Sequence, residues 1–366
     1  MKSVDFAFIL HPLSQEDIFR KFGFMKNWPT PLINATMRML PPVFTSYING
    51  VKSPYSSVEG CFIGIPFTSE QMLQLPLKTT LGKVISAGKK AAKLGAKVVG
   101  LGAMTAVVGD AGLTVARNLD IAVTTGNSYT VATALEGVEK AAELMDKDIS
   151  TAEVAVLGAT GSIGNVCARI LARKVNHLTL IARNTDRLNR LADIILEENG
   201  VAAKETSKVK EAVRRADIIV SVSSAAEVLI EAEDLKPGAV VCDVARPRDV
   251  STRVAEKRDD VLIIEGGVVE VPGEVNFNFN FGFPPQTAYA CMAETIVLAL
   301  EKRFENFSLG RELSVEKIDE IDTLAKKHGF KLAGFRSFER ALTNETIEKI
   351  RKNAAVKLKR AHFNLA

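Results

Sequence analysis

Two stretches of this chain hold residues whose types and spacing can do chemistry. The run VAVLGATGSIGNV places Gly158, Gly161 and Gly164 in GxxGxxG spacing, after an apolar strand-like segment and at the start of a helical one. Glycines at such a turn let the backbone approach a pyrophosphate, and the unpaired N–H groups of the helix start then face the anion. Gly158, Ala159, Thr160, Gly161, Ser162, Ile163 and Gly164 are therefore the candidate phosphate cradle. The following strand ends LIARNTDRL, where an NAD-binding strand carries Asp or Glu. Arg183, Asn184 and Arg187 stand there instead, and guanidinium groups clamp a 2′-phosphate, so the expected cofactor is NADPH. Solvated helix-start arginines and a ribose contact through Asp186 are the alternatives. Val222 and Ser223, after DIIV, and Gly266, after VLII, are small residues at further strand ends that complete the expected cofactor edge.

The second stretch is FNFGFPPQTAYACMAETIVLALE. Pro284 and Pro285 suit a helix start, which places Cys291 in the early turns, where the helix dipole favours thiolate. A thiolate attacks an acyl carbon, and the resulting thioester can accept a hydride and release an aldehyde. A cysteine also packs as a small hydrophobe, and the residues by themselves leave both roles open. Thr125 and Asn127 of TTGNS are candidate donors to a thioester oxyanion, or a helix cap with Ser128. Lys83 is a candidate proton donor or phosphopantetheine contact, or a solvated helix charge. Phe277, Phe279 and Phe281 alternate as an acyl wall or as one face of a buried strand would.

These residues need elements to carry them. From residue 151 onward, apolar strands (EVAVLG, HLTLIA, ADIIVSVS, AVVCDVA, VLIIEGG) alternate with helices expected over 162–174 and 185–198. That alternation predicts an α/β fold, a doubly wound parallel Rossmann domain. Before it lies a second α/β lobe. Short strands and loops fill the first 75 residues, LGKVISAGKKAAKLGAKVVGLGA reads as helix then strand, and a helix is expected over 128–146. The expected limits are a substrate lobe at 1–150, an NADP-binding domain at 151–285, and C-terminal helices at 286–366 returning to the substrate lobe.

Taken in order, GCF, KLGAKVVGLGA, TTGNSYT, VAVLGATGSIGNVCARIL, LTLIARNTDRL, IIEGGVVE, AYACMAETIVLALE and NFSLGRELSVEKIDEIDTLAKKHGF resemble the long-chain acyl-carrier-protein reductases of cyanobacteria, which make fatty aldehydes. The resemblance spans about residues 60–330. It implies a substrate lobe joined to a Rossmann domain similar to amino-acid and shikimate dehydrogenases. It also implies an acyl-accepting thiol at Cys291 and an NADPH site at Gly158–Gly164 and Arg183. NFNFNFGFPPQTA and MTAVVGD depart from the family pattern, which leaves acyl length and the choice between acyl-carrier protein and coenzyme A open. A small hydroxy-acid or amino-acid dehydrogenase, and a non-catalytic NADP(H) sensor, are the other readings.

Composition narrows the class. With 47% hydrophobic and 25% charged residues the chain is globular, and a net charge of +4 gives nucleic acid no footing as a partner. The four cysteines form no CxxC pair and the four histidines no metal spacing, so no metal is expected. The opening MKSVDFAFILHPLSQED has no leader character and no apolar run spans a bilayer, so a cytoplasmic protein is expected. The basic tail over 350–366 is a candidate peripheral membrane contact, or a solvated terminal helix. Oligomeric state is left open.

Overall fold

The computed structural model describes the chain except Met1, residues 13–18 and 20–22, Ser224, Ala226, Arg246, Pro247, Phe281, Glu339 and residues 364–366. The chain forms two compact units: Met1–Tyr129 with Val269–Leu313 and Lys317–Lys331, and Thr130–Val268 with Ser314–Glu316 and Leu332–Ala366. These limits differ from those expected. The Asn127–Leu144 helix, not residue 150, carries the chain from the first unit into the second. In the second unit its face closes on the sheet: a methyl group on Gly137 would lie 3.6 Å from Ile264 Cδ1. The last helix, Asn344–Phe363, belongs there too, because Lys357 pairs with Asp259 at 2.6 Å and Arg351 with Asp146 at 3.2 Å.

The second unit's sheet has six parallel strands in the order Leu262–Glu265, Val240–Asp243, Ile218–Ser221, Glu153–Leu157, His177–Ile181, Lys204–Thr206. Numbered within the unit this is 6-5-4-1-2-3, the doubly wound order. Its five long strands stand where the apolar runs predict them. Helices Ser162–Leu171 and Thr185–Asn199 match the expected starts, the first ending three residues early. Lys204–Thr206 and the Val209–Arg215 helix escape sequence reading, because an exposed edge strand reading KET carries no apolar signal.

The first unit's sheet also has six strands: Gly273–Asn276, Val43–Lys52, Ser57–Gly64, Phe6–Leu10, Val98–Leu101, Ala122–Thr124. The last four are parallel, and the first two complete an antiparallel margin. Successive strand residues face opposite sides. Ala7, Ile9, Val99 and Leu101 therefore pack with Leu81, Val84, Ala87 and Ala91 of the Leu77–Lys93 helix. Helix Ala290–Leu300 takes the other side over Phe8 and Gly100. A helix at Thr30–Met39 interrupts the expected strands and loops. The phenylalanine stripe is not one strand face: the strand stops at Asn276, Phe277 is buried, Phe279 is 43% exposed, and Phe281 lies outside the described residues.

Gly100 lets the Ala290–Leu300 helix sit close, since an added Cβ would fall 2.1 Å from Thr295 Oγ1 and 2.5 Å from Phe8 Cδ2. Gly100→Ala is expected to cost about 1–3 kcal/mol by overpacking, read from urea unfolding. Native stability in that variant would show that the helix has room to move.

Candidate functional site

In the second unit the glycine loop leaves the first strand at the topological switch point of the sheet. Gly158 has φ +84°, and a Cβ there would stand 2.8 Å from Ser223 Cα and 3.0 Å from the Val222 carbonyl carbon. A Cβ on Gly164 would lie 2.2 Å from Gly158 O, so strand, turn and helix touch through backbone. Gly158 and Ala159 donate their N–H groups to Ile181 O at 2.9 and 3.2 Å, and Gly161 donates to Gly158 O at 2.9 Å. Helix Ser162–Leu171 starts with Gly161 as N-cap, no capping side chain and no acid in its first turn. The Ser162 hydroxyl oxygen is buried without a hydrogen-bond partner. Uncapped N–H groups and an orphaned hydroxyl at a glycine-lined turn fit a dinucleotide pyrophosphate.

At the end of the His177–Ile181 strand, Arg183 and Arg187 are exposed, and no ion pair engages them among the described residues. Asn184 has a structural use: its Oδ1 accepts from Arg187 N at 2.9 Å as N-cap of the Thr185–Asn199 helix. Gly266 is half-buried after the Leu262–Glu265 strand.

Sequence reading missed Asp249. Its carboxylate has no exposed surface and accepts from Ser221 Oγ at 2.6 Å, Ser223 Oγ at 2.5 Å and Ser223 N at 3.0 Å. It thereby fixes the backbone against which Gly158 rests. A lone Asp in RPRDVS offers no spacing that would reveal this. Asp249→Asn leaves one acceptor oxygen for three donors, and binding of a reduced nicotinamide dinucleotide is expected to weaken about tenfold, read by fluorescence titration.

In the first unit Cys291 is the second residue of the Ala290–Leu300 helix, with Tyr289 as N-cap. The prolines do not start that helix; strand Thr287–Tyr289 intervenes, which leaves the thiol nearer the helix end than the sequence suggests. Gly126, with φ +74°, lies against it, and an added Cβ would be 2.3 Å from Cys291 Cα and 2.4 Å from its Cβ. Cys291 keeps part of its surface open, while Cys61, Cys167 and Cys242 are buried.

Burial, and then the charge of Glu294, push the Cys291 thiol up to about 12 against the pull of nearby backbone N–H groups. Desolvation thus outweighs the helix dipole on which the thiolate expectation rested, and the resting thiol is neutral at pH 7. Glu294 has no exposed surface, and burial raises its pKa above the ordinary carboxylate value. It accepts from the Thr124 hydroxyl and from Tyr129 N, the latter at 2.8 Å. Sequence reading missed this residue as well, inside a helix segment that is otherwise apolar.

The supporting residues divide. The Thr125 hydroxyl donates to Ser308 O at 2.5 Å and is buried, so it pins the turn and is not a free oxyanion donor. Asn127 is half-buried at the first position of its helix, and no hydrogen bond engages its amide among the described residues. Lys83 is not a proton donor to a site. Its ammonium donates to Arg38 O at 3.1 Å and Leu40 O at 2.8 Å, closing the C-terminal end of the Thr30–Met39 helix. Among the described residues no group of His, Cys, Asp and Glu can hold a metal, and no helix is long and apolar enough to cross a membrane.

Residues 139–264 match the model of the shikimate / quinate 5-dehydrogenase family. The long-chain acyl-[acyl-carrier-protein] reductase of Synechococcus elongatus is 30% identical over 305 residues, which cover 79% of this chain and 87% of that protein. The chain belongs to the long-chain acyl-[acyl-carrier-protein] reductase family. The aminotransferase PigE of a Serratia species is 32% identical over 83% of this chain, which spans only 36% of that larger protein. Quinate dehydrogenase of Corynebacterium glutamicum, 16% identical, covers 68% of this chain and is itself 82% covered, with a TM-score of 0.34. The chain is an oxidoreductase of the nicotinamide-dependent kind.

A thiol at about 12 has a pH signature. Alkylation of Cys291 by iodoacetamide is expected to accelerate about tenfold per pH unit from 7 to 9.5 without levelling, since only the thiolate reacts. Levelling above about pH 9 would mean that the thiol ionises as a free cysteine does.

Proposed function

We propose that this protein reduces a fatty acyl thioester to the aldehyde through an acyl-enzyme on Cys291, with NADPH as reductant. The observation that carries the reading is the seat of Cys291: a half-buried cysteine at a helix N-terminus, pressed by the backbone of Gly126, in a family whose named member is an acyl-[acyl-carrier-protein] reductase. The sulfur attacks the acyl carbonyl carbon, forming a new S–C bond, while the carrier's thiol leaves with the proton that Cys291 gives up. The Asn127 amide and the N–H groups of the helix start are the proposed donors to the carbonyl oxygen.

When bound, NADPH supplies the hydride that this thioester carbon accepts. The oxygen then takes a proton, the S–C bond breaks, and aldehyde and thiol are released. Gly158–Gly164 would hold the pyrophosphate, Ser223 the adjoining backbone, and Arg183 with Arg187 the 2′-phosphate. The acyl donor is a thioester of an acyl-carrier protein or of coenzyme A.

Incubation with acyl thioesters of several lengths, on coenzyme A and on carrier protein and without NADPH, is expected to add one acyl mass at Cys291 by intact-mass and peptide spectrometry. Cys291→Ser should abolish both the adduct and turnover. Turnover surviving in that variant would favour direct hydride transfer to a small hydroxy or amino acid instead.

A further inference from the structure

We propose that Glu294 is the positioning residue of the thioester chemistry: it clamps the turn at residues 124–129 over Cys291 and so fixes where the acyl carbonyl lies relative to the sulfur. This rests on the acyl-enzyme reading above. Glu294 stands three residues after Cys291, hence on the same side of the Ala290–Leu300 helix. Its carboxyl group is fully buried, and no cation pairs with it among the described residues. Neutral donors hold it instead, the Thr124 hydroxyl and Tyr129 N–H at 2.8 Å, with the Ser308 hydroxyl and Gly126 N–H beside it.

All four groups belong to the turn or to the segment beside it. Tyr129 lies in the first turn of the Asn127–Leu144 helix, so Glu294 caps that helix across the fold. Ser308 doubles the tie: its hydroxyl donates to Ser128 Oγ at 2.7 Å and accepts from Ser128 N at 3.2 Å, and its carbonyl accepts from Thr125. Gly126 sits between the two Glu294 anchors, at 124 and 129, and rests on the backbone of Cys291. Slack in either anchor moves that backbone, and Asn127 with it, away from the sulfur. An unpaired buried acid is costly where packing is all that is needed, since an apolar residue of like volume would serve. What only this acid does here is accept several donors of one turn at once.

Two reagents separate positioning from folding. Iodoacetamide needs only the sulfur, whereas acyl transfer needs the sulfur and the turn. The native chain, Glu294→Gln and Thr124→Val would be treated with iodoacetamide, and separately with palmitoyl thioesters of coenzyme A and of acyl-carrier protein without NADPH, with Cys291→Ser as blank. Palmitoylation is expected to fall at least about tenfold in both variants, on the scale that an ångström of misplacement produces. Alkylation should be retained, and in Glu294→Gln raised, because the neighbouring charge that holds the thiol up is gone. Native palmitoylation in the variants would overturn the assignment. So would a parallel loss of both reactions with a lowered melting temperature. If Glu294→Gln does not fold, Thr124→Val decides by the same criteria. A native chain that is alkylated but never acylated at Cys291 would sink the acyl-enzyme reading itself, and this assignment with it.

Discussion

The first unit depends on one buried carboxyl group. Glu294 joins a strand end, a helix start and the segment around Ser308 to the helix that carries Cys291. In water each of these bonds would be worth little, because solvent would compete for every donor. With no exposed surface the competition ends, and a group satisfied by several donors at once becomes a rigid node. The raised pKa of Glu294 is the mark of the same desolvation. Its contribution to stability is greatest below the ordinary carboxylate pKa and declines as pH rises toward the folded value, since the native state there holds the proton more tightly than the unfolded chain does.

The second unit uses the same device. Asp249 gathers two serine hydroxyls and a backbone N–H at the end of the Ile218–Ser221 strand, and Asp243 nearby accepts from Ala245 N and Val250 N at 3.1 Å each. In both units parallel strands bring candidate site residues to their carboxyl ends, where the backbone must turn sharply and its polar groups lack ladder partners. A buried acid supplies acceptors at that point without adding bulk. Glycine supplies the complementary property: Gly158 and Gly126 each admit neighbouring backbone where any side chain would collide.

Much of the fold was legible in the sequence because burial on both faces writes itself as short apolar runs, and EVAVL, HLTLI and VVCD stand where such runs predict them. The glycine turn was legible because Gly158 and Gly164 are required by backbone geometry. Unit limits were less so: the Asn127–Leu144 helix has one continuous pattern although it serves two cores. Among site residues, types suggested roles that contacts reassigned. Thr125 and Lys83 look like donors in search of a substrate, and both donate to carbonyl oxygens of their own fold. Asn184, read as a cofactor contact, caps a helix. Glu294 and Asp249 went unseen for the opposite reason. A single acid beside apolar residues has no local spacing to mark it, and its partners are brought near only by the tertiary fold.

The neutral resting state of Cys291 carries one more consequence. Peroxide, like acyl donors, reacts with thiolate, and a group ionising near 12 exposes only about a hundred-thousandth of itself in that form at pH 7. A neutral sulfur is a poor target for oxidation to sulfenic acid, through the same desolvation that slows its ionisation.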